Sequence, residues 1–171
     1  MAMKNLHRSA RGFTVFFASL VASLLLAVGF VIFDITYKEV LFSSVARDSD
    51  FAVYAADTGL ECALYWDARY AGSENFGSGS VFPTSTDSTP PGSGVVCNSQ
   101  DVASSWDIQK TSSSATTVFT LTFLPQTYCS LVTVAKTSSS GIISTSVTAA
   151  GYNTCAVGAS NRIERSLQAN Y

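Results

Sequence analysis

Hydrophobic positions along this chain change their period twice. Residues 13–33 form 21 consecutive positions without a charge or a proline. At about 1.5 Å rise per residue this run spans roughly 31 Å as a helix, close to the ~30 Å hydrocarbon core of a bilayer. Beyond it the apolar positions become a stripe. Leu41, Val45, Asp48, Ala52, Ala55, Gly59, Cys62 and Trp66 step alternately by four and three, one face of an α-helix. No proline occurs before Pro83, so a continuous helix is expected over 13–66, roughly 80 Å long. Asp48 interrupts the stripe, which is strongest from Ala52 onward. The small residues Ala52, Ala55, Ala56 and Gly59 let another layer approach the backbone closely.

After this the period falls to two. Residues 71–94 are dominated by Gly, Ser, Thr and Pro and read as a long surface connection, with Phe76 and Val81-Phe82 as apolar points able to tack it down. Short strand signals follow at 95–97 and 106–108. Residues 117–124 alternate cleanly, with Phe119, Leu121 and Phe123 on one face and Thr120 and Thr122 on the other. Further strands are expected at 128–135, at 142–149 after a turn at 138–141, and from Ile163 to the end. One long helix followed by several period-two strands is an α+β pattern, a helix laid across an antiparallel meander.

Charge and rare residues narrow the chemistry. The first twelve residues carry Lys4, Arg8 and Arg11 and no acid, whereas Asp34, Lys38 and Glu39 after the apolar run hold one basic group. This bias places the N-terminus in the cytoplasm and everything after residue 33 outside. Without those twelve residues the chain holds seven basic and twelve acidic residues, a balance unsuited to gripping a nucleic-acid backbone. His7 is the only histidine, so the remainder has no His-based general acid–base pair, no Ser-His triad and no His-ligated metal. Asp57 and Glu61 share a helix face at i,i+4, which suits a metal or an acid–base pair. A solvated helix edge is the simpler reading, because nothing nearby in sequence supplies a nucleophile or a third ligand. No catalytic, cofactor-binding or metal-ligating residue is assigned.

The four cysteines, Cys62, Cys97, Cys129 and Cys155, all follow the apolar run and show no C-x-x-C spacing. They read as two disulfides formed in an oxidising compartment, with buried free thiols as the alternative. Within the run, Ser19, Ser23 and Ala27 recur every four residues, so the helix presents a small-residue face suited to close packing against another helix. Gly29 is the one intrinsically helix-weakening residue there.

A short basic leader ending in glycine, then R-G-F-T-V over residues 11–15 in front of a 20-residue apolar helix, resembles the prepilin signal of type IV pilins and pseudopilins. The segment AADTGLECALYWD, residues 55–67, also resembles the post-anchor region of bacterial minor-pilin-like proteins. The resemblance implies cleavage by a prepilin peptidase between Gly12 and Phe13 and N-methylation of Phe13. It also implies a helix stored in membrane lipid that later packs into a filament core. The family usually carries glutamate at the fifth mature residue, where it neutralises the N-terminal amine of a neighbouring subunit. Here that position is Phe17, a departure that favours a minor subunit over a major one. Of the three ways to pair four cysteines, Cys62–Cys97 and Cys129–Cys155 are expected. The first ties the connection to the helix end and the second joins two parts of the sheet.

The expected organisation is therefore a leader at 1–12, a membrane or filament-core half-helix at 13–33 and an exposed half-helix at 34–67. A connection at 68–94 and an antiparallel β domain at 95–171 complete it. The expected function is structural, a minor pilin or pseudopilin in a filament or secretion apparatus. Its partners would be other such subunits, the prepilin peptidase and membrane lipid, with no nucleic acid, no cofactor and no enzymatic role. It would reside in the inner membrane before assembly and in a cell-surface filament afterwards. The competing class is an adhesion or binding protein held by an uncleaved signal anchor.

Overall fold

A computed structural model describes residues 11–69, 80–87, 92–125 and 127–171. Most of the expected leader lies outside these residues, as do Phe76 and much of the 68–94 connection. The contacts divide the chain into two compact units, residues 1–45 and 46–171. In the first, every described residue belongs to one helix, α1, which spans Arg11–Arg69 and continues into the second unit.

The second unit is α+β. Its main sheet is an antiparallel meander of five strands in chain order: β3 (Asp107–Lys110), β4 (Ser114–Phe123), β5 (Tyr128–Ser139), β6 (Ile142–Tyr152) and β7 (Glu164–Asn170). A two-stranded sheet precedes it, β1 (Val96–Cys97) and β2 (Gln100–Asp101), closed by a 3-10 turn at Val102–Ser104. Asp101 organises this corner. Its carboxylate accepts from the Gly94 and Ala103 backbone amides at 2.7 and 3.1 Å. The Gln100 side chain accepts from the Thr122 amide at 3.2 Å, which pins β2 to β4.

Strand alternation divides the meander into two faces. Phe119, Leu121, Val132, Val134, Val147 and Ala149 are buried on one side with Ala52, Ala55, Ala56 and Ala63 of α1. On the other, Thr116, Thr120, Thr133, Thr148 and Ser146 face outward across β4, β5 and β6. Val81 and Phe82 are buried as expected, with Phe82 stacked on Phe119 at 6.0 Å. The helix and sheet approach closely because both lack side chains where they meet. A Cβ at Gly59 would overlap Ser130 and Val132, and one at Gly151 would overlap the Ala52 and Ala56 backbone.

Several boundaries differ from the sequence pattern, each for a local reason. β5 runs four residues past Ala135 because Lys136 occupies an inward position and is buried, breaking the apolar alternation without breaking the strand. β6 reaches Tyr152 through Gly151, whose missing side chain is what the helix requires there. The β5–β6 turn is a two-residue loop, Ser140 and Gly141, both at positive φ (52° and 81°). That is the conformation favoured by tight hairpins, and glycine adopts it freely. Leu41 and Val45, the first residues of the expected stripe, are exposed, and burial begins only at Ala52.

Candidate functional site

The most unusual surface is the apolar one on α1. Phe13 is 73% exposed and Phe17 59% exposed, and large apolar side chains remain bare from there to Val45. By length and composition this is one helix able to cross a membrane. Its polar groups are satisfied locally. The hydroxyls of Ser19 and Ser23 donate to the carbonyls of Phe16 and Leu20 at 2.8 Å each, and Thr36 donates to Ile32 at 2.9 Å. Such back-bonding leaves little unmet hydrogen-bonding demand in a medium without water. The first charges after the run pair with each other, Lys38 Nζ lying 2.8 Å from Asp34. Phe13 and Phe17 both lie in the first two turns of α1, which begins at Arg11 upstream of Gly12. The expected Gly12/Phe13 junction therefore falls within the helix.

The second unit carries a cystine and a buried ionic cluster. Cys62 is bonded to Cys97 with Cα atoms 6.0 Å apart, joining α1 to β1, and Trp66 Nε1 donates to the Val96 carbonyl at 3.1 Å one turn later. Near the end of α1, Asp67 is 6% exposed and Lys136 on β5 is 5% exposed. Their charges meet at 2.5 Å. The remaining acceptor sites of Asp67 take the Tyr171 hydroxyl at 2.5 Å and the Ser80 hydroxyl. Burial, and then the bond to Asp67, raise the Tyr171 pKa well above its ordinary value. This cluster joins the helix, the connection after it, a central strand and the last residue. Nothing in the sequence pattern marked Asp67 and Lys136 as partners, because they lie on different elements. The one available signal was a lysine in phase with Val132 and Val134.

Asp57 and Glu61, by contrast, are exposed on α1. Among the described residues no three His, Cys, Asp or Glu side chains converge as metal ligands would.

The structure brings the second expected pair, Cys129 and Cys155, together without bonding them. Cys129 and Cys155 are thiols here, Cys129 buried and Cys155 half-buried. They are neighbours nonetheless, bordering the same cavity, and burial followed by the proximity of Cys155 pushes the Cys129 pKa up to about 12. The loop that carries Cys155 is docked rather than bonded: its backbone N–H donates to the Thr127 carbonyl at 2.9 Å. Both thiols border a cavity of about 240 Å³ on the outer face of the sheet, together with Tyr152 and Arg162. No known protein family, curated protein or solved structure matches this chain.

Proposed function

We propose that the chain is a structural subunit of a type IV pilus-like filament or related secretion apparatus, in a minor rather than a major position. The observation that carries this reading is the bare apolar surface of α1 from Phe13 to Val45, preceded by the R-G-F-T-V junction. A helix with this surface must be covered by lipid or by other helices, because roughly 25 cal/mol per Å² of apolar area favours removal from water. Moving from lipid to a filament core exchanges one apolar surrounding for another, so the same residues suit storage and assembly. The small-residue positions Ser19, Ser23 and Ala27 support the second state by allowing close helix approach. Phe17 carries no charge to neutralise a neighbour's N-terminus, which suits a subunit with no neighbour ahead of it.

Intact-mass measurement of the membrane-extracted protein tests this most directly. The expected species begins at Phe13 and carries one methyl group on its amine. Retention of residues 1–12 would remove the pilin assignment and leave a protein held by an uncleaved signal anchor.

A further inference from the structure

The outer-face cavity at the β4–β5 end of the sheet combines features that the filament reading does not use. Thr120, Leu131 and Val157 help to line it, beside the Cys129–Cys155 pair, Tyr152 and Arg162. The guanidinium of Arg162 lies over the Tyr152 ring, 3.8 Å from its centroid, and its Nε is shielded from solvent with no hydrogen-bond partner. A buried guanidinium donor left unpaired is costly and calls for an acceptor. Burial, and then the neighbouring Glu164 carboxylate, raise the Tyr152 pKa above its ordinary value. The loop is held by Asn153, which accepts from the Ile163 amide at 2.7 Å and donates to the Asn161 carbonyl at 3.0 Å. Arg162 and Cys155 are therefore presented on a braced loop.

We propose that this cavity is a thiol-exchange site for carboxylate-bearing, low-molecular-weight disulfides. In it Cys155 is the attacking thiol, Cys129 the resolving thiol and Arg162 the anion-binding group. The Cys155 thiolate attacks one sulfur of R–S–S–R. A Cys155–S–S–R bond forms, the original S–S bond breaks, and RS⁻ leaves with the electron pair and takes up a proton. Cys129, having passed its proton to water, then attacks Cys155 Sγ, the Cys155–S–S–R bond breaks, and the second RS⁻ leaves and takes up a proton from water. Two protein thiols are oxidised to a disulfide and one small disulfide is reduced to two thiols. The order follows from access: both thiols border the cavity, but Cys155 is half-buried whereas Cys129 is buried in β5. The high pKa of Cys129 points the same way, since the thiolate is the nucleophile. Arg162 selects the reagent because a guanidinium recognises carboxylates through paired donors. The site does not depend on whether the chain assembles into filaments.

The full chain in detergent, with Cys129 and Cys155 as thiols and Cys62–Cys97 intact, provides the test. It is exposed to oxidised glutathione, which is anionic, to cystamine, which is cationic, and to neutral 2-hydroxyethyl disulfide. Rates are normalised to those of free cysteine. In the native protein, acid-quenched peptide mapping should find the first mixed disulfide on Cys155. The anionic reagent should outrun the cationic one several-fold, the scale of a solvent-screened charge pair. Arg162→Gln should remove that preference and leave the neutral reagent unchanged, while Arg162→Lys should keep most of it. A first adduct on Cys129 overturns the assignment. So does an Arg162→Gln variant that keeps the charge preference, or one that loses rate equally with all three reagents.

Discussion

At the scale of single residues, the Asp67–Lys136 pair is the group on which the second unit depends most sharply. Two charges about 5% exposed are tolerable only because each is the other's partner and hydroxyls of Tyr171 and Ser80 complete the carboxylate. Removing one charge leaves the other stranded away from water, which costs about 3–5 kcal/mol. Lys136→Ala should therefore lower unfolding stability by that amount in a urea titration of the detergent-solubilised chain. The double variant Lys136→Met with Asp67→Leu should recover much of the loss, since apolar side chains of similar volume need no partner. A Lys136→Ala protein with an unchanged midpoint would show that water reaches Asp67. This residue also explains a failure of sequence reading. A buried lysine looks like the end of a strand when its acidic partner is 69 positions away on a helix, and no local pattern announces that pairing.

At the scale of elements, the contact between α1 and the sheet is governed by what is missing from it. The stripe of Ala52, Ala55, Ala56 and Gly59 was legible in the sequence, because helical spacing of small residues has one main packing use. The complementary gap at Gly151 was not legible, since a glycine near a strand end reads equally well as a turn. Gly151→Ala places a methyl group against the backbone of Ala52 and Ala56, which cannot rotate aside. Overpacking of this kind costs typically about 1–3 kcal/mol. The expected outcome is a loss of stability in that range for Gly151→Ala, measured by the urea midpoint. Gly29→Ala is the contrasting case, because its added methyl group meets nothing within 4 Å and alanine favours the helix. Equal effects at the two positions would contradict the close helix–sheet approach. The second cysteine pair also belongs to this scale. Cysteine positions fixed which residues could pair, but whether Cys129 and Cys155 are bonded depends on redox state, which spacing does not encode.

At the scale of the molecule, the two units divide the work of burying apolar surface unequally. The core residues, Phe82, Phe119, Leu121, Val132, Val134 and Val147 among them, all belong to residues 46–171. Among the described residues thirty large hydrophobics are exposed; twenty lie between Phe13 and Val45, and the other ten are dispersed over the remainder. That asymmetry was legible from the outset, because an uncharged run of membrane length differs in composition from everything behind it. The strand register and the docked loop at 153–163 were not, since they rest on pairings between distant segments. If residues 46–171 contain a complete core, removing 1–45 should take away the demand for lipid or partner helices without taking away the fold. A fragment of residues 46–171, produced in an oxidising compartment so that Cys62 and Cys97 can join, should elute as a soluble monomer. It should also unfold in one cooperative thermal transition, as small single domains do. Aggregation without detergent, or a melt without a cooperative transition, would mean that the second unit needs the first to complete its core. A soluble, cooperative fragment would assign the need for a membrane or a helical assembly to residues 13–45 alone.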